Sequence, residues 1–214
     1  MEIFYLNSVD STHRYLKDYL KIHQYKNPIA VITQNQTDGI GSRDNGWCGK
    51  KGNLFFSFAI SKDILPSDLP IQSASIYFSF ILKDILNYLG SKIWLKWPND
   101  FYIKGKKIGG TITSLKGDIL LCGIGLNLIE VSTEYGYLDI NIDIEKLLNK
   151  YFDQILSKPI WKDIFSKYSL EFKKSKNFLT TVNSQKVSLQ DASLSEDGSI
   201  LIANKKVYSL RWVK

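Results

Sequence analysis

Cysteine is nearly missing from this chain: Cys48 and Cys122 are the only two in 214 residues. Two cysteines cannot build a disulfide scaffold, and their separation is not that of a metal-ligand pair, so a reducing, cytoplasmic compartment is expected. Arginine is almost as scarce, at Arg14, Arg43 and Arg211 only. A nucleic-acid binder gathers basic residues on one element. Here the net charge of +7 comes from lysines spread along the chain, which argues against DNA or RNA as a partner and for a solvated lysine-rich surface, an anionic substrate or an acidic protein partner. No apolar run reaches the roughly 18 residues of a membrane-spanning helix, so no membrane association is expected. The start, Met1-Glu2-Ile3-Phe4-Tyr5, has neither the basic region nor the apolar block of a signal peptide. Internal repeats and low-complexity tracts are absent too.

What is present is the composition of a globular domain, 44% hydrophobic and 23% charged. Strands are expected over 2–7, 28–33 and 54–60. Asp10-Ser11-Thr12 supplies N-cap chemistry for a helix from His13 to Leu20. The strongest helical periodicity spans 71–89 and stops at Gly90. Short segments at 93–96, 101–103, 107–115 and 119–126, separated by glycine turns, read as an antiparallel meander. Two further helices are expected over 143–156 and 159–174. After Asn177 short alternating segments read as a small β module, too short to be counted on to fold alone.

Three segments carry directed polar groups. Ser11-Thr12-His13 opens a helix, where its hydroxyls either cap the helix or meet a polar head group. From Gln34 to Gly52 apolar periodicity vanishes. A loop of that length in a compact domain is uncommon and is usually functional or disordered. Its core, Gln36-Thr37-Asp38-Gly39-Ile40-Gly41-Ser42-Arg43, leads to Trp47. Glycines let backbone amides approach a phosphate, Arg43 can pair with it, and Trp47 can either stack on a base or fold onto the core. The third and most distinctive segment is Lys96-Trp97-Pro98-Asn99-Asp100, followed by Lys107-Ile108-Gly109-Gly110 and Gly123-Ile124-Gly125-Leu126-Asn127. Proline fixes its backbone and removes a donor, leaving Asn99 and Asp100 as directed groups. Asp100 suits Mg²⁺, which takes one or two carboxylates together with phosphate oxygens. Lys107 stands apart from its neighbouring lysines because it enters an apolar strand.

Gln36-x-x-Gly39-x-Gly41, the Lys96–Asp100 motif, Lys107–Gly110 and Gly123–Asn127 occur in the order and approximate spacing found in biotin–protein ligases, and the chain resembles that family over nearly its whole length. The resemblance implies an α+β fold like that of class II aminoacyl-tRNA synthetases. Its sheet would be mixed and largely antiparallel, with helices mainly on one face. A catalytic unit over residues 1–175 would be followed by a small SH3-like β barrel over 176–214. It also implies ATP and biotin as substrates with Mg²⁺. Biotinyl-5′-AMP forms first, and biotin then passes to a lysine of a biotin carboxyl carrier protein of acetyl-CoA carboxylase or another carboxylase.

Carried over by motif, Ser11, Thr12, His13 and Gln36 line the ureido end of biotin. Gly39, Ile40, Gly41 and Ser42 fold over the biotinyl-adenylate, and Lys107 contacts its carboxyl and phosphate oxygens. Arg43, Trp47, Lys96, Asn99, Asp100 and Asn127 serve the nucleotide, with Asp100 nearest the metal. Gly110, Gly123 and Gly125 allow close packing against the ligand.

Three departures stand out. Ile40 and Ser42 occupy places where the family has arginine, which implies weaker ATP binding or looser retention of the adenylate. His13 replaces an asparagine, and Ser114 replaces an acidic residue and receives no role. His23, Cys48 and Cys122 are expected to have no catalytic part. The first strand at Glu2 leaves no room for the N-terminal DNA-binding domain of some ligases, so DNA is not an expected partner. Ligases of this kind can pair through sheet edges into homodimers, but no edge is singled out here. The rival readings are a lipoate or octanoate ligase or transferase of related fold, whose Arg-Arg-x-Ser-Gly-Gly-Gly loop is absent, and a degenerate protein that binds biotin or a nucleotide without chemistry.

Overall fold

Strand β2 (Ile29–Thr33) is buried along its whole length, the sign of a strand covered on both faces. It lies in the seven-stranded sheet that organises the molecule. The structure is a computed structural model and describes residues 1–41, 46–47, 49–182 and 185–208. The other strands of this sheet are β1 (Glu2–Leu6), β5 (Leu54–Ser61), β6 (Trp94–Lys96), β7 (Asp100–Ile103), β8 (Lys106–Lys116) and β9 (Ile119–Leu126). Between β2 and β5, two residues each form β3 (Gly39–Ile40) and β4 (Gly46–Trp47), paired with one another. The sheet order is β1-β2-β5-β9-β8-β7-β6. Within this sheet β1 and β2 run parallel, and the other described pairings are antiparallel. The expected α+β class and meander are both present.

Three helices cover one face of the sheet: α2 (Ala74–Tyr88), α3 (Ile144–Leu156) and α4 (Trp161–Ser175). Helix α2 is buried nearly all round, as a core helix must be, and it packs against α3, α4 and strand β8. Aromatic rings lock this layer: Phe58 meets Phe78 edge-on at 4.9 Å, and Phe56 meets Tyr151 at 5.7 Å. The periodicity that begins at Ile71 starts with a 3₁₀ turn, Ile71–Ser73, before the α-helix proper. Gly90 ends the segment with φ +104, a backbone conformation that glycine adopts without penalty.

The opposite face carries α1 (Thr12–Ile22), whose Leu16 packs with Ile29, Val31, Ala59 and Leu121 in a second, smaller apolar cluster. Ser11 caps this helix by accepting the Arg14 backbone N–H at 3.3 Å.

The C-terminal segment forms a hairpin, β10 (Leu179–Val182) with β11 (Gln185–Ser188), and a three-stranded sheet of β12 (Ser193–Leu194), β13 (Ile200–Ile202) and β14 (Lys205–Val207). Leu189, Ala192, Ile200 and Ile202 join the main apolar core. Two indoles tie this module down: Trp97 Nε1–H donates to the Gly198 carbonyl at 3.0 Å, and Trp161 Nε1–H donates to the Glu196 carbonyl at 2.9 Å. Among the described residues no helix is long and apolar enough to cross a membrane.

Candidate active site

The pleat of the meander fixes which residues meet on the α1 face. Asp100 on β7 stands opposite Gly110 on β8, Gly110 opposite Gly125 on β9, and Gly125 opposite Phe55 on β5. Two residues along, Ile112, Gly123 and Ser57 form the next row. Side chains in the same row share a face. Glycines in both rows therefore leave a trough, roughly 7 Å from row to row. It is closed by the start of α1 and by the β3–β4 hairpin, and it forms a cavity of about 440 Å³.

At one end of the trough the groups are polar and neutral. Gln36 Oε1 accepts from the Thr12 backbone N–H at 2.9 Å and from Thr12 Oγ1 at 3.3 Å. Thr12 Oγ1 also lies 2.9 Å from Ser57 Oγ. His13 hangs over Gly123 and is half-buried, with its Nδ1 shielded from solvent; desolvation, aided by the charge of Lys17, pulls its pKa from 6.5 down to about 4. The imidazole is therefore neutral at physiological pH.

At the other end charge is concentrated. Lys107 Nζ lies 2.6 Å from Asp100 Oδ1, while Lys96 Nζ lies 3.5 Å from Asp100 Oδ2. The Lys107 ammonium also sits 5.6 Å from the centroid of the Trp47 ring, within reach of a cation–π contact. Asn99 and Thr111 clamp β7 to β8: Thr111 N–H donates to the Asn99 carbonyl at 3.0 Å, and Asn99 Nδ2 donates back to the Thr111 carbonyl. Asn127 is buried and donates through Nδ2 to the Gly136 carbonyl at 3.1 Å. The Lys107 backbone carbonyl accepts from Gly136 N–H at 2.9 Å. Together these bonds bring Tyr135 to the cavity wall.

Of the residues expected from sequence, Ser11, Thr12, His13, Gln36, Ile40, Gly41, Trp47, Asn99, Asp100, Lys107, Gly110, Gly123, Gly125 and Asn127 all line this one cavity. Gly39 and Lys96 do not. Gly39 is packed against Gln36 and Trp47, and Lys96 is buried behind Asp100. Ser42 and Arg43 lie outside the described residues. Trp97 packs into the core with 2% exposure, so the Trp-Pro corner supports the site from behind.

Sequence reasoning passed over Phe55, Ser57, Thr111, Ile112, Ile124 and Tyr135, which also form the wall. Ser57 carried a readable signal, a hydroxyl inside the otherwise apolar Leu54–Ile60 run. Among the described residues no group of three or more histidine, cysteine or acidic side chains could hold a metal ion by itself. Asp100 is the sole carboxylate of the described lining.

The site is a glycine-floored trough with neutral donors and acceptors at one end and a lysine–carboxylate pair at the other, a setting suited to holding a polar head group and an anion in one cavity. The chain belongs to the Biotin/lipoate A/B protein ligase family, whose profile matches residues 5–127, and within it to the biotin protein ligases. The crystal structure of biotin acetyl coenzyme A carboxylase synthetase from Helicobacter pylori, with bound biotinylated ATP, superposes with a TM-score of 0.92 at 40% identity, covering 97% of this chain and 99% of that one. The biotin protein ligase of Aquifex aeolicus in complex with biotin and ATP shares the fold, with a TM-score of 0.73, 24% identity and 99% coverage of both chains. The bifunctional ligase/repressor BirA of Escherichia coli (strain K12) is 30% identical over 127 residues, covering 56% of this chain and 38% of its own length. The chain thus spans well under half the length of the curated relative it matches.

Proposed function

We propose that this chain is an ATP-dependent biotin–protein ligase that forms biotinyl-5′-AMP and then transfers biotin to a lysine of a biotin carboxyl carrier domain. The observation that carries this reading is the Lys107–Asp100 pair at 2.6 Å, in the same trough as the Thr12–Gln36–Ser57 corner. In the first step a carboxylate oxygen forms a bond to the α-phosphorus of ATP, and the bond to the β-phosphate bridge breaks to release pyrophosphate. One anion must approach another, so a fixed cation lowers the barrier most. Lys107 supplies that cation, and Asp100 holds it in place. In the second step the carrier's amine attacks the acyl carbon of the mixed anhydride, and AMP leaves. No covalent intermediate on the protein is required; holding the two reactants in line supplies much of the rate.

The neutral corner suits the ureido ring of biotin better than the plain hydrocarbon end of an octanoyl chain, because it is lined by polar groups and includes the buried His13 Nδ1, which has no partner among the described residues. Trp47, Asn99 and Asn127 are assigned to the nucleotide, and Ile40 and Gly41 to the cover over the adenylate. A single carboxylate already paired with two lysines fits Mg²⁺ only as an ion carried chiefly by the nucleotide's phosphates, with Asp100 as one ligand. Such an ion would offset charge on the departing pyrophosphate. The chemistry is assigned to residues 1–175, with 176–214 as an appended β unit, and its place of action to the ATP-supplied cytoplasm. A carrier domain with acidic residues around its target lysine would complement the net charge of +7.

Pyrophosphate release with ATP and biotin, octanoate or lipoate tests the reading. Biotin-dependent release followed by labelling of a biotin carboxyl carrier domain is expected. Release with octanoate or lipoate alone, or with none of the three, would overturn it.

A further inference from the structure

His13 has one ring nitrogen engaged and one without a partner. Its Nε2 lies 3.4 Å from Ser114 Oγ on β8, whereas Nδ1 is buried and has no hydrogen-bond partner among the described residues. That Nδ1 lies over the floor of the trough: a Cβ on Gly123 would stand 3.1 Å from it and 3.1 Å from Ser57 Oγ. The neighbouring polar groups are already committed to one another, Thr12 with Gln36 and with Ser57. Nδ1 is thus a group at this end of the cavity that still needs a partner. Buried polar atoms left without one are rare and costly.

A neutral imidazole carries one donor and one acceptor. An unmet buried N–H is the rarer and more costly orphan than an unmet acceptor, so the stable arrangement places the proton on Nε2, facing Ser114.

We propose that Ser114 is a positioning residue for ligand recognition. By accepting from His13 Nε2–H it holds the imidazole in the tautomer whose bare Nδ1 accepts a hydrogen bond from an N–H of the bound molecule. The inference rests on the biotin reading, in which that N–H belongs to the ureido ring. It gives His13 a geometry of its own, since the Nδ1 acceptor is set by a hydroxyl on a different strand. It also makes Ser114 a determinant of selectivity without any contact to the ligand. The depressed basicity of His13 is consistent with this, because a charged ring would donate at both nitrogens and reject an N–H.

The test is calorimetric titration of the full chain with biotin and with biotin methylated on its ureido nitrogens, comparing wild type, Ser114→Ala and Ser114→Thr. Ser114→Ala is expected to weaken biotin about three- to tenfold, the range of one neutral hydrogen bond. The methylated compound, which has lost the N–H, should lose far less, and Ser114→Thr should restore biotin affinity. Long-range ¹H–¹⁵N spectra of the wild-type imidazole should show Nδ1 unprotonated, a readout that does not depend on the variants folding. Unchanged biotin affinity in Ser114→Ala, equal weakening of both ligands, or a protonated Nδ1 would overturn the inference while leaving the ligase reading intact. A wild-type chain that binds no biotin would overturn both.

Discussion

Gly125 lies directly beneath Trp47: a Cβ built there would stand 3.1–3.3 Å from three atoms of the indole. This contact is tighter than most packed side chains tolerate, and the indole cannot flex within its plane. Gly125→Ala should therefore displace Trp47 from the wall. The expected result is a rise of about tenfold or more in KM for ATP, with a much smaller change for biotin, as expected when a positioning surface moves by a fraction of an ångström. Steady-state kinetics with each substrate varied in turn would check it.

Removing the Lys107 ammonium should separate chemistry from stability. Its pair with Asp100 is partly solvent-exposed, with 28% of the lysine side chain accessible, and such pairs contribute about 1 kcal/mol or less. The transition state, by contrast, loses its fixed cation. Lys107→Ala should lower the rate of biotinyl-AMP formation by on the order of 10²–10³ while the melting temperature shifts by only a few degrees. ATP–pyrophosphate exchange and a thermal melt on the same preparation measure both.

His13 should leave a mark on acid stability. In the unfolded chain it takes up a proton near pH 6.5, but in the folded protein only near pH 4, because burial opposes the charge. Between those values the unfolded state binds more protons, so stability falls as pH drops from about 6.5 to about 4. The full effect corresponds to roughly 3 kcal/mol. Denaturant unfolding at pH 7 and pH 4.5 should show this slope in the wild type, and His13→Asn should flatten it.

Trp97 is expected to act on the tail. Trp97→Phe keeps most of the apolar contact and deletes the donor to the Gly198 carbonyl, leaving a buried acceptor unmet. A loss of about 1–3 kcal/mol follows, with earlier proteolytic cleavage in the 185–208 region than in the sheet. Limited proteolysis read by mass spectrometry would show it.

The helix α2 and the β8–β9 meander were legible in sequence because their patterns are local: long apolar periodicity in one case, and glycine turns between short apolar strands in the other. Most of the site was legible for a different reason. Its polar residues sit in short motifs whose members fall on consecutive strands of the meander, so chain neighbours become spatial neighbours. The missed wall residues, such as Phe55 and Ile112, are ordinary strand residues. Their exposure to the cavity comes from the register that sets Phe55 opposite Gly125 and Ile112 opposite Gly123, and register over such separations is not written in either segment alone. Trp97 illustrates the converse: it lies two residues from Asn99, yet it faces the core because the turn sends the two side chains to different sides of the sheet.

Helix α1 alone, among the described helices, covers its face of the sheet, while three helices roof the other. The ground beside it, floored by Gly110, Gly123 and Gly125, is covered by no helix of its own among the described residues, only by the first turn of α1 and by Trp47. Whatever small molecule settles there fills the space that a further helix would otherwise take. Heat resistance in this chain should accordingly track the supply of its ligands, climbing with the logarithm of their concentration above the dissociation constant.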